Sequence, residues 1–137
     1  MAAVKELLRS EADGSLSFGD HTLDAKAKKE DYPHNGDLYK VKTFKDITKL
    51  EKNGLFVYES VPGTSVANFA EAEDGVKFSV EGADDAQITL GLADETEYEV
   101  IVNGKDSGRM KTNLGGKLSV SVELSGNGSV PVEVKRA

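Results

Sequence analysis

Residues 86–102, AQITLGLADETEYEVIV, decide the fold class that the sequence predicts. The stretch reads as two short strands with alternating apolar residues, and a corner containing Leu92 and Thr96 joins them. Tyr98 lies just inside the second strand, where its ring can enter a core while its hydroxyl turns back to the connecting backbone. This spacing is typical of the tyrosine corner of two-sheet sandwiches, so the stretch predicts an all-β fold.

The sequence on both sides of this stretch continues the alternation. Asn103–Gly104 marks a tight turn, because both residues tolerate positive φ. About six or seven short strands in roughly eighty residues, each with one polar face, predict an immunoglobulin-like antiparallel β-sandwich. Besides the two strands above, strands are predicted in VANF (66–69), GVKFSVEG (75–82), GRMKTN (108–113), KLSVSVEL (117–124) and VPVEV (130–134).

The last of these strands contains Pro131. Proline has no backbone N–H to donate to a neighbouring strand, so we expect this strand to lie at a sheet edge or to bulge at Pro131. An exposed edge pairs readily with another chain, and a homo-oligomer is a common outcome of such pairing. The sequence therefore predicts self-association.

The beginning of the chain is less regular. Residues 3–10 fit either a helical face or a strand, and we favour a hairpin that turns at residues 12–14 and returns through SLSFG (15–19). Residues 24–36 are charged and polar, and they predict a loop. Residues 37–44, DLYKVKTF, predict a strand.

A second hairpin is predicted over residues 47–61, with Asn53–Gly54 at its tip. A short helix over residues 45–52 is the alternative. Pro62 and Gly63 cannot both continue a central strand, so the chain is expected to divide here. The prediction is an N-terminal β-rich region over 1–61, with the charged loop 24–36, and the immunoglobulin-like sandwich over 62–137.

Composition excludes several classes of site. The 137 residues include no cysteine, which rules out disulfides, cysteine-ligated zinc and a thiol nucleophile. Asp and Glu number 24 against 17 Lys and Arg, giving a net charge of −7 that disfavours binding to nucleic acid. The start, MAAVKELLRSEADG, lacks the apolar core of a secretory signal, and no window approaches the roughly 20 apolar residues that span a bilayer. We therefore expect a soluble, cytoplasmic protein without a membrane partner.

No cluster of residues indicates catalysis. His21 and His34 lie in the polar first half, outside any nucleophile or metal-ligand motif. The acidic pairs at 84–85 and 94–95 flank one strand, too far apart to form a single calcium site, and fit solvated turns. We therefore nominate no catalytic, cofactor-binding or metal-binding residue and expect no cofactor.

One pair of aromatic residues is a candidate surface for a carbohydrate or a partner. Sugar-binding modules stack a sugar ring on exposed aromatic side chains. Phe56 and Tyr58 share one face of the predicted strand LFVYES (55–60), opposite Leu55 and Val57. The alternative is that both faces of this strand are buried between the two halves of the chain.

Two stretches carry a resemblance that extends over nearly the whole chain: LEKNGLFVYESVPGTSVANF (50–69) and TEYEVIVNGKDSGRMKTNLGGKLSVSVEL (96–124). They resemble a family of short clostridial proteins that carry the name endosialidase. The name implies a bacterial glycosidase that hydrolyses polysialic acid. Sialidase-type sites hold the substrate carboxylate with several arginines beside a Tyr–Glu pair, whereas this chain has only Arg9, Arg109 and Arg136.

The second half also resembles the immunoglobulin-like or fibronectin-type accessory modules attached to polysaccharide-active enzymes. The residues that match are Leu92, Thr96, Tyr98 and Val100, followed by Asn103–Gly104. This resemblance implies a fold and no active site. The favoured hypothesis is a non-catalytic structural or interaction protein that self-associates. A carbohydrate-binding accessory module is the first alternative, and a small glycosidase is the second.

Overall fold

The computed structural model describes residues 3–137, and these residues form two antiparallel β-sheets without any helix. The first two residues of the predicted N-terminal region lie outside the described residues. In chain order, the strands are β1 (Leu8–Ser10), β2 (Leu16–Phe18), β3 (Ala27–His34), β4 (Asp37–Phe44), β5 (Ile47–Lys52), β6 (Leu55–Val61), β7 (Ser65–Ala72), β8 (Gly75–Glu81), β9 (Ala86–Gly91), β10 (Glu97–Val102), β11 (Lys105–Lys111), β12 (Lys117–Val122) and β13 (Val130–Arg136).

The strands divide between a seven-stranded and a six-stranded sheet. Sheet A has the order β1-β2-β7-β8-β13-β10-β11, and sheet B has the order β12-β9-β6-β5-β4-β3. The all-β class is confirmed, while the immunoglobulin-like character of residues 62–137 stays a prediction. Among residues 3–137, no helix has the length and apolar composition that a membrane crossing requires.

The core lies between the sheets and includes residues from both sides of position 61. Phe18 and Tyr58 pack edge to face with ring centroids 5.1 Å apart, and Phe69 and Phe78 complete the aromatic centre at 5.6 Å from Phe18 and 5.8 Å from Tyr58, respectively. β6 pairs with β9 across the predicted boundary, and β1 and β2 join sheet A. The predicted regions 1–61 and 62–137 are therefore interleaved in one sandwich with one cluster of buried residues.

Both predicted hairpins are confirmed. Leu8 pairs with Phe18 in the first, and β5 pairs with β6 around Asn53–Gly54 in the second. A strand, β5, therefore forms where a helix over 45–52 was the alternative. In both hairpins the chain reverses at the predicted turn residues, 12–14 and Asn53–Gly54.

The predicted loop over residues 24–36 is wrong, since most of it forms β3. β3 is the end strand of sheet B and pairs only with β4. An edge strand tolerates charged residues, and these even protect it from pairing with other chains. A bulge at Asp31, whose φ is 57°, further interrupts the alternation that would have marked β3 as a strand.

The predicted edge position of the last strand is also wrong. β13 lies between β8 and β10 in the interior of sheet A. Pro131 pairs with Ser79 on one side, and on the other its carbonyl accepts a hydrogen bond from the N–H of Asn103 at 2.8 Å. The missing N–H of Pro131 points to the same side as its carbonyl, at the level where β10 has ended at Val102. The pairing of β13 with β8 therefore continues in register from Val130 to Lys135.

Candidate functional site

The predicted surface of Phe56 and Tyr58 does not form. Leu50 pairs with Tyr58 and Glu51 with Phe56, so Val57 is the extra residue of a β-bulge. The bulge reverses the alternation between the two rings, and the prediction that they share a face is wrong. Tyr58 is 0% exposed in the core, whereas Phe56 stays half-buried on the outer face. The ammonium of Lys117 lies 4.6 Å from the centroid of the Phe56 ring.

Tyr58 belongs to a buried network of hydroxyl groups. Its hydroxyl lies 2.7 Å from Thr64 Oγ1, and the Ser60 hydroxyl lies 2.7 Å from the same atom. Burial raises the pKa of Tyr58 far above its usual value, so the hydroxyl stays neutral. These contacts satisfy buried polar groups next to the β6–β7 connection, which is a structural role.

A polar cleft of about 360 Å³ lies between the ends of the two sheets. Tyr39 donates a hydrogen bond to Glu71 Oε1 at 3.2 Å, and the ammonium of Lys52 lies 3.3 Å from the same oxygen. Burial, followed by the negative charge of Glu71, raises the pKa of Tyr39 above its usual range. This cleft was not predictable from the sequence, because its lining residues come from segments that are distant in the chain.

His34 forms one wall of this cleft and is 8% exposed. Its Nδ1 lies 2.8 Å from Ser10 Oγ, and its Nε2 lies 3.1 Å from the carbonyl oxygen of Gly14. Both ring nitrogens therefore connect the β1–β2 hairpin to β3, and neither is directed to a reacting group. Within residues 3–137, no group of three His, Asp or Glu side chains is arranged to hold a metal ion.

His21 and Asp85 also have local structural partners. His21 Nδ1 lies 2.7 Å from Ser65 Oγ. Asp85 Oδ1 accepts hydrogen bonds from the backbone N–H groups of Leu124 and Ser125, at 2.9 and 3.0 Å. The pair at 94–95 lies exposed in the corner before β10.

The sheet edges offer a different kind of site, because an edge strand presents backbone groups that another chain can bind. The edges are β1 and β11 in sheet A and β3 and β12 in sheet B. Three of them carry features that hinder pairing. β1 has only three residues, β3 has the bulge at Asp31 and contains Pro33, and β11 has a bulge near Gly108 (φ 96°) and several charged side chains.

β12 has none of these features. Its six residues, KLSVSV, pair in continuous register with β9, from Lys117 opposite Gly91 to Val122 opposite Ala86. Its inner face is buried, and its outer face presents the small hydroxyl side chains of Ser119 and Ser121. Sequence reasoning missed this edge because it took β13 for the edge strand, although the absence of charge, proline and glycine from LSVSV (118–122) was a visible signal.

The hydrogen bonds at the start of β12 identify the backbone groups that face outwards. The Gly116 carbonyl accepts from the N–H of Leu92 at 2.7 Å, so it points towards β9. Lys117 points the opposite way, since its N–H donates to Asn113 Oδ1 at 3.0 Å and its carbonyl accepts from the N–H of Asn113 at 3.2 Å. Because successive residues alternate, the N–H and C=O groups of Ser119 and Ser121 lie at the free side of the strand.

Comparisons with protein-family models, with curated proteins and with solved structures find no match to this chain. The candidate site therefore depends on geometry alone, and the free side of β12 is the feature with the clearest chemistry.

Proposed function

We propose that the protein is a non-catalytic interaction protein that self-associates by strand addition at β12. The observation that carries this proposal is the contrast among the four edges: β12 is regular and uncharged in its middle, while the other three are short, bulged or charged. Unpaired N–H and C=O groups on a regular edge are a ready template for another strand.

The polar groups of the cleft support a non-catalytic function. Tyr39, Glu71 and Lys52 bond to one another, and His34 bonds to Ser10 and Gly14. A catalytic base needs a nucleophile or substrate within reach and a partner that orients it. Here the titratable groups are occupied in joining the ends of the two sheets.

The first test is the mass of the protein in solution. We expect light scattering to show a rise from the 14.7 kDa of one chain towards twice that value as the concentration increases. A mass that stays at one chain up to about 1 mM, which would mean an association free energy weaker than about −4 kcal/mol, contradicts the proposal.

The second test removes one donor from the free side of β12. Ser121→Pro deletes an N–H that points away from β9, so the ladder within the protomer is kept and the variant should be monomeric. Ser121→Ala is the matched control, because it removes the hydroxyl and keeps the N–H, and it should associate like the natural chain. If Ser121→Pro unfolds, Ser119→Lys with Ser121→Lys adds repelling charges at two exposed positions and should also give a monomer.

The carbohydrate-binding alternative has less structural support than self-association. Of its two aromatic rings, Phe56 alone lies on the outer face, and Lys117 covers part of it. A glycan array on which the protein binds and Phe56→Ala does not would favour this alternative over self-association. The glycosidase alternative predicts shorter chains after incubation with polysialic acid.

A further inference from the structure

We infer that the occupant of the β12 edge is the β12 strand of a second copy of this chain, antiparallel to the first and related to it by a two-fold axis at Val120. This inference rests on the proposed self-association and specifies its partner and register. It would join the two copies of sheet B into one continuous sheet.

The backbone groups at the free side of β12 are self-complementary about Val120. In an antiparallel pair, two opposed residues exchange both of their N–H···O=C bonds at every second position. An axis at Val120 places Ser119 opposite Ser121 of the second copy, and Ser121 opposite Ser119. The free N–H and C=O groups of Ser119 and Ser121 in each copy then all have a hydrogen-bond partner.

Both ends of the free side are already occupied, which limits the register. Asn113 bonds to the backbone of Lys117, and Asn127 Nδ2 donates to the carbonyl of Glu123 at 3.0 Å. An axis at Leu118 or Val122 would place one of the two serines opposite these occupied residues. The axis at Val120 makes its backbone hydrogen bonds through the two open residues, Ser119 and Ser121, and leaves the occupied residues Lys117 and Glu123 opposite each other.

Side-chain charges agree with the same register. The axis at Val120 brings Lys117 opposite Glu123 of the second copy, and it does so twice in the dimer. Both side chains are exposed on the outer face together with the two serines. Opposite charges across an antiparallel pair are favourable, whereas a chain with a net charge of −7 repels its copy elsewhere.

Cross-linking tests the register directly, because the natural chain contains no cysteine. Ser119→Cys and Ser121→Cys change exposed side chains. Opposed residues of a hydrogen-bonded pair have Cα atoms about 5.5 Å apart, which a disulfide can join. In the proposed register, a mixture of the two variants forms a disulfide-linked dimer under mild oxidation. Each variant alone stays uncross-linked, since its own cysteines would be about 8 Å apart, beyond the roughly 7 Å limit.

Val120→Cys is an independent probe of the axis. Val120 would face its own copy in a non-hydrogen-bonded pair, with Cα atoms about 4.5 Å apart, so this variant alone should cross-link. Because Val120 is buried, the exposed serine pair keeps the test decisive if Val120→Cys does not fold.

Charge reversal tests the end contacts. Lys117→Glu places two glutamates opposite each other at both ends and should weaken dimerisation by about tenfold. Lys117→Glu combined with Glu123→Lys restores opposite charges and should restore dimerisation.

The possible outcomes separate this inference from the proposed function. A natural chain that doubles its mass while the mixed serine variants fail to cross-link, or while either variant alone cross-links as well as the mixture, overturns the register and leaves self-association standing. A natural chain that stays monomeric overturns both.

Discussion

The backbone N–H of Ala93 donates a hydrogen bond to the hydroxyl oxygen of Tyr98 at 3.2 Å, across the corner that joins β9 to β10. Thr112 closes the same corner, because its hydroxyl donates to the Ala93 carbonyl at 2.6 Å. The Tyr98 ring is 2% exposed and packs in the core. The corner therefore couples the packing of one ring to the path of the backbone between the two sheets.

Tyr98→Phe should lower the free energy of unfolding by about 1–2 kcal/mol, since it keeps the ring and leaves the N–H of Ala93 without its acceptor. Tyr32→Phe is the matched control. It also removes an acceptor from a backbone N–H, that of Ser10 at 2.9 Å, but at an exposed site where water can replace it. Urea unfolding of the two variants gives the comparison, and an equal loss in both would contradict the role assigned to the corner.

Two of the four tyrosines should resist ionisation. Burial raises the pKa of both Tyr39 and Tyr58, and folding therefore favours their neutral forms. This stability is fully present below the pKa of an unfolded tyrosine, about 10, and it is lost as the pH rises above that value. Absorbance at the phenolate band should show that at least two tyrosines ionise only when the protein unfolds. Titration of all four while the circular dichroism spectrum stays native would contradict this.

Glu11 should contribute stability that depends on acid pH. The hydroxyl of Ser17 donates to its carboxylate, and this bond, supported by Arg9, lowers the pKa of Glu11. A lowered pKa gives stability above the unfolded value of about 4.3, and this stability is lost as the pH falls through the folded value.

Glu11→Gln should therefore lose about 1 kcal/mol at neutral pH and show a smaller further loss than the natural chain between neutral pH and pH 3. Glu73→Gln, in the exposed β7–β8 turn, is the control and should follow the natural chain. Chemical denaturation at a series of pH values measures both. A natural profile for Glu11→Gln would show that the carboxylate contributes nothing.

Gly63 should tolerate no side chain. A Cβ at this position would lie 1.9 Å from the backbone carbonyl oxygen of Phe44, which no rotamer change can relieve. Gly63→Ala should cost about 3 kcal/mol or prevent folding, because the backbone itself must move. Gly115→Ala is the control, since its nearest neighbour would be the Asn113 side chain at 3.4 Å. Thermal unfolding of the two variants measures the difference in stability. Similar unfolding midpoints would contradict the prediction that Gly63 tolerates no side chain.

The strands were predictable wherever one face is buried and the other is exposed to solvent, because apolar and polar residues then alternate along the strand. KLSVSV in β12 and GVKFSVE in β8 show this alternation without interruption, and both were found. β3 was missed because an edge strand with a bulge at Asp31 has no such pattern. The prediction that Phe56 and Tyr58 share a face was wrong for a related reason, because the bulge at Val57 reverses which side chain points inwards.

The sequence by itself determined that the chain forms short antiparallel strands, where several of its turns lie and that Tyr98 closes a corner, since each of these depends on residues close together in the chain. Only the tertiary structure decided the order of strands within each sheet. That order placed β13 in the interior and left β12 at an edge. The physical reason is that an alternating pattern specifies which face of a strand is buried, whereas backbone hydrogen bonds are the same for every residue type and leave the choice of neighbour to the packing of the whole sandwich.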